Sequence, residues 1–233
     1  MKFTFLSRLM AVLAVALLFT SCIDDDNRSY YQPIENSAFG YVVNASPSSG
    51  DLYFFADQNQ LNREALNYGG SMGYFRFYLG DRTFTLKNSL GTTLATTTLK
   101  LENQDYFALF AVNTFNNIEL VTYRDSLVSP AQGNARVRFI NLSPDAPSLD
   151  VATTTSTLAT GLDFKEASEF ADVPAGSYDL TFKNTATGET VYTQTAEPLT
   201  AGNIYTIYVK GFVTPPTGSN DTFSAVKLTN YRG

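Results

Sequence analysis

Histidine is absent from this chain, and that absence alone excludes a large part of enzyme chemistry. Without imidazole there is no Ser-His-Asp or Cys-His nucleophile pair, no imidazole general base, and no use of the commonest metal ligand. Cysteine occurs once, as Cys22, which excludes an intramolecular disulfide and a thiolate metal cluster. Tryptophan is missing too. Charged residues make up only 16% of the chain, and the excess is acidic, 22 Asp and Glu against 16 Lys and Arg. Phosphate neutralisation needs grouped Lys and Arg, so nucleic acid is not an expected partner. These residue types imply no cofactor and no metal.

What the chain does hold is Phe (18) and Tyr (14), together with many Thr, Ser and Asn. Such a balance suits β-sheet. The organising stretch runs from Ala135 to Asp150. Val137 and Phe139 alternate with Arg136, Arg138 and Asn141, the period of a half-buried strand that places the two arginines outward. Ser143-Pro144-Asp145-Ala146-Pro147 then stops it, because proline lacks an N–H and restricts the residue before it. Leu149 and Val151 resume the alternation. Further short runs, among them Phe39–Asn44, Leu52–Phe55, Tyr74–Tyr78, Thr92–Leu101 and Tyr106–Val112, recur at the spacing of a β-sandwich or barrel. Sustained helical period is confined to the N-terminus, with at most a short turn over Gln58 to Ala65.

The first half of the chain repeats in the second. Ala38, Asn44, Ser46, Pro47 and Leu52 align with Ala135, Asn141, Ser143, Pro144 and Leu149. Leu66, Gly80, Lys87 and Asn88 align with Leu162, Gly176, Lys183 and Asn184, and Tyr106–Val112 aligns with Ile204–Lys210. Three ordered blocks at nearly one offset indicate a tandem repeat. The expected organisation is a signal over 1–21, an acidic tether over 22–36, a β-domain over 37–126, a linker over 127–134 and a second β-domain over 135–233.

Lys2 and Arg8 precede the apolar run Leu9 to Phe19, which is short for a membrane span and reads as an export signal. Leu18-Phe19-Thr20-Ser21-Cys22 resembles the lipobox of bacterial lipoproteins, which implies acylation of Cys22 and a membrane anchor as one partner. Asp24, Asp25 and Asp26 follow, and resemble the surface-export signal of Bacteroidetes-type lipoproteins. Removing Lys2 and Arg8 leaves 14 basic and 22 acidic residues, a charge of −8. The expected address is the outer membrane, lipid-anchored and facing the cell exterior.

Arg136 to Val151, with its Ser-Pro-Asp-Ala-Pro core, resembles the DUF4397 family of exported β-domains. Leu158–Leu162, Val173–Tyr178 and Leu199–Tyr205 extend the likeness. The first half keeps Asn44, Ser46 and Pro47 but has Ser48-Ser49-Gly50 where the second has Asp-Ala-Pro, as a diverged copy would. The resemblance implies an all-β chain of two tandem immunoglobulin-like β-sandwich domains after a lipoprotein signal peptide. It implies no activity.

Candidate sites are few. Asp145, Asp150, Asp163 and Asp172 offer oxygens to a Ca²⁺ ion, although an Asp after a proline more often accepts local backbone N–H groups in a turn. Asp125-Ser126-Leu127 resembles a short O-glycosylation acceptor, with Ser126 as its hydroxyl. Consecutive aromatics such as Tyr53-Phe54 and Tyr74-Phe75 point to opposite faces of a strand, so some must leave the core for the surface or the junction between repeats. Thr214, Pro215, Pro216, Thr217 and Gly218 form a stiff loop longer than its first-half counterpart and are the candidate binding loop. Together these features predict a non-catalytic cell-surface binding or structural module with a protein or glycan ligand. A glycan-binding accessory role and a hydrolase working with carboxylates alone are the competing readings.

Overall fold

The computed structural model describes residues 36–232. Cys22 and Asp24, Asp25 and Asp26 lie outside the described residues. The first half contributes strands β1 (Ala38–Asn44), β2 (Leu52–Ala56), β3 (Asn59–Gln60), β4 (Ser71–Phe77), β5 (Gly80–Asn88), β6 (Thr93–Leu101), β7 (Tyr106–Val112) and β8 (Glu119–Asp125). The second contributes β9 (Asn134–Asn141), β10 (Leu149–Ala152), β11 (Thr157–Leu162), β12 (Ala171–Pro174), β13 (Gly176–Asn184), β14 (Thr190–Leu199), β15 (Ile204–Lys210) and β16 (Ser224–Tyr231). Among the described residues each half thus has eight strands, one more than the seven typical of such a sandwich, because the segment after the second strand folds back against it, as β3 in the first half and β11 in the second.

The two halves share one topology. Sheets of order β4-β1-β7-β8 and β3-β2-β5-β6 make the first sandwich, and β12-β9-β15-β16 and β11-β10-β13-β14 make the second. In both, the first strand runs parallel to the seventh and antiparallel to the fourth. The chain is all-β and immunoglobulin-like in architecture.

The Asn-x-Ser-Pro corner is where the chain passes from one sheet to the other, and its polar side chains weld that crossing. Asn44 donates from Nδ2 to the Leu66 carbonyl at 2.9 Å and accepts the Ser46 N–H at 3.1 Å. Asn141 does the same with Leu162 at 3.0 Å and Ser143 at 3.1 Å. The serine hydroxyls then donate to the end of the seventh strand, Ser46 to Asn113 O at 2.6 Å and Ser143 to Gly211 O at 2.7 Å. All four side chains are fully buried, so each of these groups needs its partner. Asn113 and Gly211 both have positive φ, 68° and 83°. At Gly211 a Cβ would lie 2.3 Å from the Thr222 carbonyl oxygen, so only glycine fits.

Each sandwich has its own core, with Phe54, Phe84, Phe107 and Leu109 in the first and Val137, Phe139, Phe182 and Ile207 in the second. A third core joins them. Val43, Ala45, Ala108, Phe110 and Val112 from the first half pack with Ile140, Leu142, Tyr208 and Leu228 from the second. Strand β7 shows the consequence. Phe107, Leu109 and Ala111 face the sandwich interior while Ala108, Phe110 and Val112 face the other half. Strand alternation holds, yet both faces are buried, so the strand reads as a continuous apolar run.

The covered face also reverses one expectation. Arg136 remains half-buried, paired with Asp172 at 3.2 Å. Arg138 does not point to solvent; it is only 3% exposed. The outer face of its strand is the face that meets the first half, so a residue outward from its own sandwich is inside the protein.

Candidate binding surface

Arg138 anchors a buried polar network across the junction. Its guanidinium donates to Asp125 Oδ1 at 2.5 Å, to Thr206 Oγ1 at 3.0 Å and to the Arg124 carbonyl at 2.7 Å. Asp125 Oδ2 accepts from Tyr74 Oη and Asn230 Nδ2, each at 3.1 Å. The rings of Phe170 and Tyr123 flank the guanidinium, with centroids at 4.5 and 5.7 Å. Burial, with the Asp125 charge beside it, pushes the Tyr74 hydroxyl above the usual tyrosine range, so it stays protonated and donates. A groove of about 460 Å³ opens above this network, bordered by Tyr123, Ser126, Ser168, Glu169 and Phe170. Asp125 is placed at its floor with a fully buried side chain. The aspartate of the Asp125-Ser126-Leu127 motif is therefore committed to Arg138 and is not presented at the surface.

The candidate loop Thr214 to Gly218 is exposed, apart from the half-buried Pro215. Its flanks are held by both proline corners. Asp145 accepts the N–H groups of Val213 and Thr214, each at 2.8 Å, and Asp221 accepts the N–H of Ser48 at 2.7 Å. Ser48 and Asp145 are the residues after Pro47 and Pro144, so one loop clasps equivalent corners of both halves. Asp145 accepts backbone N–H groups, but those of a distant loop rather than of its own turn.

The carboxylates of Asp150 and Asp172 are also engaged. Asp150 Oδ1 accepts the Gly161 N–H at 2.9 Å and the Thr185 hydroxyl at 2.8 Å. Asp172 accepts from Ala131 N–H and Arg136. Asp145, Asp150, Asp163 and Asp172 do not converge, and no metal-holding group of His, Cys, Asp or Glu is found among the described residues.

The aromatic residues divide as strand geometry demands. Tyr74 enters the junction, edge-on to Tyr41 at 4.3 Å, while Phe75 packs on the first core. On β2, Leu52, Phe54 and Ala56 are buried and Tyr53 and Phe55 turn to the outer face of sheet β3-β2-β5-β6. They floor a shallow groove of about 180 Å³, rimmed by Gln60, Lys87, Asn88, Ser89 and Gly91. Lys87 lies directly opposite Tyr53 in the β2–β5 register, and its Nζ sits 4.5 Å from the Phe55 ring centroid. The groove edge is fixed from below. Buried Asn62 accepts the Phe54 N–H at 2.7 Å and donates to the Leu52 carbonyl at 2.9 Å, which brings β3 and Gln60 alongside Phe55. The alternation Leu52-Tyr53-Phe54-Phe55 requires one aromatic to face outward; which neighbours it meets is set by register with β5, which the β2 sequence does not carry.

The sequence profile of a domain family described as a domain of unknown function (DUF4397) matches residues 41–152 and again 144–230. The chain belongs to the DUF4397 family. Both halves of this DUF4397 protein match, the diverged first as well as the second. The two matches overlap at the second corner, around Pro144 to Ala152. The Asn-x-Ser-Pro hydrogen bonds give that part of the DUF4397 sequence a structural role, since they are the same in each half.

Among solved structures, the DUF4397 chain overlaps an α-glucan-binding streptococcal virulence factor at 11% identity and TM-score 0.23, covering 74% of this chain and 93% of that one. It overlaps a carbohydrate-binding module from Eubacterium rectale, solved with maltoheptaose, at 11% identity and TM-score 0.23, covering 82% and 97%. A Parabacteroides distasonis protein, described as a candidate for cell adhesion, overlaps at 7% identity and TM-score 0.20, covering 84% and 98%. Superposition that loose transfers neither detailed fold nor ligand. No curated protein matches the DUF4397 chain in sequence.

Proposed function

We propose that the protein is a non-catalytic binding module, anchored by lipid at Cys22 and displayed at the outer face of the outer membrane. The observation that supports it is the contrast between its carboxylates and its aromatics. Carboxylate-only glycoside hydrolysis needs two acids facing across a substrate cleft. The junction groove is bordered by two, Asp125 and Glu169, but both oxygens of Asp125 are taken by Arg138, Tyr74 and Asn230. On the far face, Tyr53 and Phe55 instead floor a groove with amide, hydroxyl and ammonium groups at its rim. An aromatic floor with a polar rim is chemistry suited to recognition.

The lone Cys22 behind an apolar leader and before Asp24-Asp25-Asp26 supports the anchor and the outward display. Intact cells carrying a C-terminally tagged chain test both. External protease removes the tag from the wild type, and Cys22→Ala releases the chain to the periplasm or leaves it unprocessed. Mass spectrometry of the mature protein with an unmodified N-terminus elsewhere rejects the anchor. A tag that is protected in intact cells rejects the surface display.

A further inference from the structure

We infer that the Tyr53/Phe55 groove binds a pyranose bearing a carboxylate, an acidic sugar residue of a glycan. This rests on the binding-module reading and names its site and ligand class.

The positions of Tyr53 and Phe55 are held in the second half by Asp150 and Ala152, on strand β10 of an identically ordered sheet. That sheet forms without aromatics on its outer face, so the fold does not require Tyr53 or Phe55 there. Asp150 has a structural task, bonding Gly161 and Thr185. Tyr53 and Phe55 face outward instead, with rings only partly covered.

Lys87 and Lys183 are equivalent, as are Asn88 and Asn184. In the second half the residue opposite Lys183 is Asp150. In the first, the residue opposite Lys87 is Tyr53. The first half thus has the lysine with an aromatic ring, and no carboxylate, across from it. Among the described residues Lys87 makes no ion pair, and its ammonium is held only against the Phe55 ring. None of the residues lining the groove is acidic, in a chain whose net charge is −6. A cation without an ion pair beside an open aromatic face is complementary to an anionic ligand that also has an apolar face.

A carboxylated pyranose has both. Its axial C–H face stacks on an aromatic ring, its carboxylate meets the Lys87 ammonium in a charge-assisted hydrogen bond, and its hydroxyls meet Gln60, Asn88 and Ser89. Asn88 already uses Oδ1 to accept the N–H groups of Leu90 and Thr92, which orients its Nδ2 donors. Tyr53 and Phe55 lie two residues apart on one face, about 7 Å along the strand. A groove of about 180 Å³ is smaller than a pocket for a drug-sized molecule and suits a single ring of a chain that continues into solvent.

The test is titration of the purified full mature chain with oligogalacturonate and, separately, with a neutral maltooligosaccharide of the same length. Oligogalacturonate is expected to bind, more weakly as salt is raised, and the neutral oligosaccharide to bind at least about tenfold less tightly, the ratio that about 1.4 kcal/mol produces. Lys87→Gln should erase that preference. Tyr53→Asp combined with Phe55→Ala installs the residues the second half already tolerates, so folding is preserved, checked by an unchanged melting curve, and binding should be lost. Equal binding of both glycans, unaffected by Lys87→Gln, overturns the acidic-sugar assignment. Binding that survives the double replacement overturns the site. Neither result touches the surface-display assay, which judges the broader reading separately.

Discussion

Phe110 and Tyr208 occupy equivalent positions on β7 and β15, and they pack against each other edge to face, ring centroids 5.2 Å apart at 72°. A residue and its repeat counterpart meeting in this way place a pseudo-symmetric contact at the centre of the third core. Close packing of this kind couples the two halves through a shared interior.

The halves should therefore unfold together. Guanidinium denaturation followed by far-UV circular dichroism and by tyrosine fluorescence is expected to give one coincident transition. Phe110→Ala should lower stability by about 3–5 kcal/mol. Two resolved transitions in the wild type would show that the junction is a contact between independent domains.

Breaking the buried ion pair should cost as much as a core deletion. Asp125→Ala leaves the Arg138 guanidinium buried without its counter-charge, a loss of about 3–5 kcal/mol. Replacing Asp125 and Arg138 together, by Asn and Met, should recover part of it. A double-mutant cycle on denaturation midpoints measures the coupling, and additive effects would contradict the network described above.

The corner amide is a third handle. Asn141→Ala removes two hydrogen bonds and orphans the Ser143 N–H and the Leu162 carbonyl, at about 1–3 kcal/mol for each buried group left unpaired. Asn44→Ala should behave alike because it makes the same two bonds, with one more to the Ser49 hydroxyl. Thermal melting of the two variants should give similar losses; a neutral result at either corner would remove the structural explanation of the motif.

Acid should loosen a contact between the halves. Lys165, bonded to Glu119 at 2.9 Å, and next the Asn113 amide hold the Glu119 carboxyl below its ordinary value. A depressed carboxyl pKa contributes stability that is present above the unfolded-state value and disappears as pH falls through the lower folded value. The pair is only partly buried, so solvent screening keeps its contribution to about 0–1 kcal/mol. Glu119→Gln should flatten that part of the stability profile measured by melting between neutral and acid pH, and added salt should do the same to the wild type.

The loop clasp is testable locally. Asp145→Ala should speed amide exchange at Val213 and Thr214 while costing about 1 kcal/mol of global stability. Unchanged exchange at those two amides would mean the carboxylate does not hold the loop.

Much of this architecture was legible in the residues themselves. Alternation located strands such as Phe39–Asn44 and Tyr106–Val112, and proline with its fixed φ and missing N–H ended them. Repetition of Asn, Ser and Pro at one offset announced two copies of a unit, because a buried amide and hydroxyl must find the same partners each time the crossing is built. Periodicity states which residues share a face, but not whether another surface covers that face. Arg138 looked outward because its neighbours Val137 and Phe139 point inward, and only the approach of the first half turned that outward face into the interior, with Asp125 waiting to neutralise it. Tyr53 likewise had to face away from Phe54, but its meeting with Lys87 is decided by the register of β2 against β5, a pairing between residues 34 positions apart. Contacts across sheets and across halves are non-local, set by packing that no single stretch of chain contains.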